Sequence, residues 1–188
     1  EWLEKFVLKY NQEIKLPLMF RIIPGSVNDQ KLELLSKLNI IAIGIGLQSG
    51  SYRVLKEIYN RPIKINVFTD TIVKLNSKKI IPIIDVMLNN PYEKRDDIVE
   101  TIKTLSMIPK PFLIELYGFK FYPGTEITSR AIKEGIIDKC DTIGTQAYIE
   151  NNNDKNFLNN IIYITPYFTR KFIFYLIDKE RISKKYLS

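Results

Sequence analysis

Ile40-Ile41-Ala42-Ile43-Gly44-Ile45-Gly46-Leu47-Gln48-Ser49-Gly50 decides how the rest of the chain is read. Isoleucine recurs at alternate positions, bounded by Asn39 before and Ser-Gly after, which is the pattern of a buried strand. Side chains alternate across a strand, so Ile41, Ile43, Ile45 and Leu47 share one face. Ala42, Gly44, Gly46 and Gln48 share the other, bare until a single amide closes it. Glycine inside a strand costs stability, and two on one face imply the close approach of something else. Either a large neighbour packs there, or a ligand lies over the strand end and meets Gln48 and the helix start at Ser49 to Ser51.

Working outward, the same strand-then-helix unit recurs. Leu16 to Ile23 reads as a strand stopped by Pro24-Gly25. Asn28 or Asp29 then caps a helix that turns Leu32, Leu35 and Leu38 inward. Ile80 to Leu88 and Leu113 to Phe121 are further apolar strands. Helices are expected at Glu1 to Asn11 with Trp2, Phe6 and Tyr10 on one stripe, from about Ser51, at Lys64 to Asn76, and after Pro91. The last of these carries Glu93, Asp96 and Asp97 in its first turns, where acidic groups suit the helix dipole. Thr125 caps a helix ending at Gly135. Strands alternating with helices mean βαβ units and a parallel sheet. The expected fold is an α/β partial parallel (β/α) barrel of TIM type, with four strands over residues 1–137. Residues 138–188 are expected to form a loop and a helical extension, packed across the sheet through Phe168, Phe172, Leu176 and their neighbours. Four parallel strands do not close a barrel, and an open edge needs a cover. With an opening residue of Glu1 rather than Met, this points to a segment of a longer or processed protein.

The 188 residues suffice for one domain with a core, and 45% hydrophobic with 26% charged residues excludes a disordered chain. No apolar run approaches the ~20 residues of a membrane span, no signal peptide is present, and the expected location is cytoplasmic. Cys140 is the only cysteine and histidine is absent. Intrachain disulfides, Cys/His zinc sites, iron–sulfur sites held by this chain alone and histidine acid–base catalysis are all excluded. Net charge is +7. Lysines are spread along the chain and concentrate only near its end, so the charge reads mainly as solvated surface, with nucleic acid as a secondary partner class.

Ligands of parallel α/β sheets bind beyond the C-terminal strand ends. Those ends supply Arg21 to Pro24, Gln48 to Gly50, Asn89 to Glu93 and Phe121 to Thr125. Asp85 stands apart as a carboxylate inside the apolar run Ile83-Ile84-Asp85-Val86-Met87. Buried, it needs a partner or a task. It either pairs with a Lys or Arg of a nearby strand or faces the interior as a substrate group.

Three of these stretches resemble one family. Gly44 to Gly50 with Val54-Leu55-Lys56-Glu57-Ile58 and Arg61, Asp85 to Glu93 with Asp97 and Glu100-Thr101, and Phe121-Tyr122-Pro123-Gly124-Thr125-Glu126 with Ala131 and Glu134-Gly135 are similar, in order and spacing, to segments of radical S-adenosylmethionine enzymes. The subgroup that often carries a cobalamin-binding domain is the most similar. The resemblance implies strands three to six of a six-stranded partial barrel. A missing N-terminal portion would then bear the CxxxCxxC loop for a [4Fe–4S] cluster. It also implies Gln48 near the ribose hydroxyls of S-adenosylmethionine, Ser49 close by, Asn89 to Pro91 against the adenine, and Tyr122 at the same mouth. Asp85 and Glu93 become substrate-cavity candidates, and no catalytic residue or metal ligand falls within the chain. Asn89 stands where the family usually has Gly. The competing expectations are a different α/β-barrel enzyme using Asp85 or Glu93 as acid–base, and a basic non-catalytic binding domain.

Overall fold

The four apolar runs become four parallel strands, in sequence order, in the computed structural model, which describes residues 1–138 and 153–187. They are β1 (Leu18–Ile22), β2 (Ile40–Gln48), β3 (Ile81–Leu88) and β4 (Leu113–Gly118). Seven α-helices are described: α1 (Trp2–Lys9), α2 (Asp29–Leu35), α3 (Ile65–Ser77), α4 (Arg95–Met107), α5 (Glu126–Lys133), α6 (Asn153–Ile164) and α7 (Arg170–Leu187). Two π-helical turns accompany them, Tyr10–Ile14 continuing α1 and Val54–Ile58 after β2. This is the expected TIM-type parallel architecture with a helical C-terminal tail.

The alternation in β2 sets the layers. Ile43, Ile45 and Leu47 are fully buried on the outer face, as are Ile84 and Val86 of β3. They pack against Phe68 and Ile72 of α3 and Ile98, Ile102 and Leu105 of α4. Each such side chain contributes about 1.5–3 kcal/mol by leaving water. A second cluster joins Val7 of α1 to Leu32 and Leu35 of α2, with Ile43 and Leu75 beneath. The Asn28 side chain caps α2 by accepting from the Lys31 backbone N–H at 2.9 Å. Gly135, at φ +71°, follows the C-terminus of α5, where a left-handed residue ends a helix at least cost.

Three expectations change. The fourth strand stops at Gly118, because Phe119 and Phe121 leave the sheet to meet edge to face at 5.0 Å and pack with Ala131. The α1 stripe is only partly inward: Val7 is buried, whereas Trp2 is 74% exposed and stacks on Phe6. The tail packs through its aliphatic residues instead of Phe168 and Phe172. Leu158, Ile161, Ile162, Ile173 and Ile177 are buried with the α4 core and Leu176 is partly buried against it, while Phe168 and Phe172 remain outside. Cys140 lies outside the described residues. No helix of the described residues is long and apolar enough to cross a membrane.

Candidate functional site

The bare face of β2 is a seat for Arg21. In parallel register Arg21 pairs with Gly44, Gly46 with Asp85, and Asp85 with Glu115. A Cβ at Gly44 would lie 2.6 Å from Arg21 Cγ, inside any permitted contact. With glycine there, Arg21 crosses β2. Its Nε donates to Asp85 Oδ2 at 3.0 Å and its Nη2 to Glu115 Oε2 at 2.7 Å and to the Tyr117 hydroxyl. The Asp85 bond holds the guanidinium pKa above its ordinary value. Asp85 is therefore paired with an arginine two strands away, and it lies on the inner face, buried, while Arg21 and Glu115 are exposed.

Above this layer, the ends of β2 and β3 turn in the same unusual way. Gln48 has φ +67° and Asn89 φ +61°. Asparagine tolerates the left-handed region and takes the place of a glycine at Asn89, whereas glutamine there stores strain of order 1 kcal/mol. A register shift between Gly46 and Gln48 accompanies the turn. The Gln48 amide folds back over Gly46, where an added Cβ would meet Nε2 at 2.6 Å. Arg61 reaches the same spot, with Nη1 3.8 Å from that Cβ position. Among the described residues the exposed Arg61 guanidinium makes no hydrogen bond or ion pair. Asn89 Oδ1 accepts from Asn159 Nδ2 of α6 at 3.1 Å, so the tail braces this rim.

Beside the rim lies a groove of about 500 Å³ lined by aromatic Tyr59, Tyr117, Phe119 and Tyr122 with Met87 and Ile127. Burial, reinforced by the Glu93 carboxylate, pushes the Tyr59 phenol well above its ordinary pKa, with Asn90 opposing, and Lys120 is the one charged residue of the groove lining. Tyr122 is 63% exposed at the mouth, and Pro91 is half-buried beside it in the chain after Asn89.

Behind the rim, a buried polar network fastens the β2 turn to α4. Gly50 N–H donates to Thr101 Oγ1 at 2.8 Å, and the Ser49 and Thr101 hydroxyls lie 3.1 Å apart. Ser49 Oγ also reaches Glu93 Oε1 at 3.5 Å. Ser51 Oγ donates to Asp97 Oδ1 at 2.7 Å, Arg53 donates to both Asp97 oxygens and to the Tyr92 carbonyl, and the Lys94 N–H reaches Asp97 Oδ2 at 2.8 Å. Burial opposes ionisation of Asp97, but these donors outweigh it and hold the carboxyl below its ordinary pKa. Contact is so close that a Cβ on Gly50 would sit 2.6 Å from Thr101 Cα.

Gln48 and Asn89 thus end adjacent strands with Pro91 two residues on, Tyr122 lines the aromatic groove, Ser49 and Glu93 join the network behind β2, and Asp85 belongs to the inner wall. Sequence reading placed Arg21 at the C-terminal rim and Arg61 and Asp97 within the family resemblance, but named none of the three as a site residue. The signal for Arg21 was present as glycine opposite an arginine, but it required the register. Among the described residues no cluster of His, Cys, Asp or Glu is arranged to hold a metal ion.

Residues 2–105 match the family model described as the radical SAM superfamily. No curated protein matches the chain. Two solved structures of TsrM from Kitasatospora setae, a radical S-adenosylmethionine methyltransferase, share its fold. One holds cobalamin and a [4Fe–4S] cluster, the other tryptophan substrate and the analogue aza-SAM. Each superposes with a TM-score of 0.57 at 12% identity, over 77% of this chain and 28% of the TsrM chain. The chain spans little more than a quarter of the length of those proteins.

Proposed function

The chain belongs to the radical SAM superfamily, and on that premise we propose that it supplies part of an S-adenosylmethionine pocket and one wall of the substrate cavity in a longer enzyme. The observation that carries this reading is the rim itself: two left-handed strand ends, one at strained Gln48, beside an aromatic groove. Strained backbone concentrates at ligand sites. The residues fit S-adenosylmethionine. An aromatic groove accepts a purine by stacking, the Gln48 amide suits paired ribose hydroxyls, and the Arg61 guanidinium suits a carboxylate. In this assignment Asn89 and Pro91 border the adenine with Tyr122, and Ser49 acts from behind by holding the turn. Asp85, with Arg21 and Glu115, forms the cavity wall, and Glu93 supports Ser49.

A [4Fe–4S] cluster does not fit this chain, which holds one cysteine. In the proposed parent the cluster is bound by the missing N-terminal portion, and reductive cleavage of S-adenosylmethionine is chemistry of that assembly. Cobalamin in the parent is proposed from the motif style alone, and residues 1–137 and 138–188 are proposed as barrel portion and extension. The alternative use of Asp85 or Glu93 as acid–base is the less favoured reading, since Arg21 holds one oxygen of Asp85 and Ser49 meets the buried Glu93.

Calorimetric titration of the full-length protein with S-adenosylhomocysteine tests the reading. Arg61→Gln is expected to weaken binding about tenfold, as loss of a charge-assisted hydrogen bond does, and Tyr122→Ala to weaken it less. Unchanged affinity in both variants overturns it.

A further inference from the structure

The tail segregates its large side chains by type. From Phe157 to Ile177 every aliphatic side chain is at least partly buried, with Leu158, Ile161, Ile162, Ile173 and Ile177 in the core. The exposed large apolar residues of the described tail are all aromatic: Phe157, Tyr163, Tyr167, Phe168, Phe172 and Tyr175, between 39% and 63% exposed. Elsewhere the exposed set is mixed and includes Leu8, Leu16 and Ile41. A patch of this kind on a folded surface marks an interaction site.

Four of these rings are paired, and cations lie over Tyr175 and over the partly buried Phe174. Tyr163 lies 6.5 Å from Tyr167, and Phe168 lies 4.9 Å from Phe172, centroid to centroid. Phe172, Tyr175 and Lys179 recur at spacings of three and four on one stripe of α7, and Phe168 sits in the bend just before that helix. Lys179 Nζ lies over the Tyr175 ring at 5.6 Å, and Arg170 lies over Phe174 at 5.2 Å. Lys110 Nζ donates to the Phe168 carbonyl at 2.5 Å, adding a cation at the start of α7. From Asn153 to Ser188 basic residues outnumber acidic ones by seven to three.

We propose that this aromatic and basic face of α6 and α7 binds single-stranded nucleic acid. Exposed rings offer stacking platforms to unpaired bases, and the interleaved cations meet the phosphates. A membrane-seeking face would expose its aliphatic residues as well, and from Phe157 to Ile177 those are at least partly buried. A duplex offers phosphates but hides its base faces, so the exposed rings favour single strands. The face lies on the outer side of the sheet, with the core that joins the tail to α4, and the proposal does not depend on the S-adenosylmethionine reading.

The test is fluorescence anisotropy of the full-length protein with labelled 12-residue oligouridylate and oligothymidylate, titrated against salt. Expected is binding whose log affinity falls with log salt at a slope of at least about −2, roughly 0.7 per phosphate neutralised. Phe172→Ala and Tyr175→Ala are each expected to weaken it at least about fivefold. Lys179→Gln is expected to flatten the slope by nearly one. Circular dichroism and S-adenosylhomocysteine affinity should stay unchanged in all three variants, which separates this face from the rim. No binding, equal binding of a 12-base-pair duplex, or binding of vesicles of three parts phosphatidylcholine to one part phosphatidylserine without binding of oligonucleotides overturns the proposal.

Discussion

Ile84 and Asp85 are neighbours on β3 and point to opposite sides of the sheet, and the two faces they represent are built on different rules. The outer face is aliphatic and continuous, and Ile84 there is fully buried against helices. On the inner face Gly44 is bare, and Arg21, Asp85 and Glu115 join three strands through charge. An outer residue acts through the volume it fills. An inner residue acts through what it reaches, or lets another reach.

The contrast is broken most sharply by truncation. Ile84→Ala should cost about 2–5 kcal/mol in chemical denaturation, the range for a large side chain removed from a packed core. A cost below about 1 kcal/mol would mean that the outer face is not a tight core. Next in size is acidification acting on the network behind the rim. The native Asp97 carboxyl titrates below its ordinary value, so unfolding takes up a proton that the native state resists. Its stabilisation is complete above the unfolded carboxyl pKa of about 3.9. It is lost as pH falls through the lower native value. Asp97→Asn should therefore lower stability at pH 6 and show a flatter decline between pH 4 and pH 2. A parallel decline in variant and parent would count against the network. Smallest is Gly44→Ala. The new Cβ displaces Arg21, but Arg21 is half-exposed and its ion pairs are screened, so the denaturation midpoint should shift only slightly. The sharper readout is Tyr117, whose hydroxyl loses its arginine donor and should change its ultraviolet titration. An unchanged Tyr117 titration would mean that Arg21 does not depend on the glycine.

How much was legible in sequence follows the same division. The outer face announces itself in Ile43, Ile45, Leu47 and Ile84, because burial and alternation leave a pattern along the chain. Strand order and the C-terminal rim follow from it. Gln48 could be singled out as the one amide on a bare face, but its left-handed backbone could not, since glutamine carries no preference for it. Arg21 over Gly44 and Thr101 under Gly50 depend on register and helix placement, which arise between segments. The tail misled for a different reason: aromatic residues at helical spacing look like a core stripe, and the nearby aliphatic residues took that place.

Gln48 joins these levels, as the last residue of the decisive strand and the strained corner of the rim. The most direct test is the S-adenosylmethionine affinity of the full-length protein with Gln48→Ala, measured by calorimetry alongside its denaturation midpoint. The account predicts binding weaker by about 1–3 kcal/mol for loss of a buried hydrogen bond to the ligand, with stability unchanged, because alanine keeps the Cβ that strains the left-handed backbone. Full affinity with reduced stability would contradict it and make the amide a structural part of the turn.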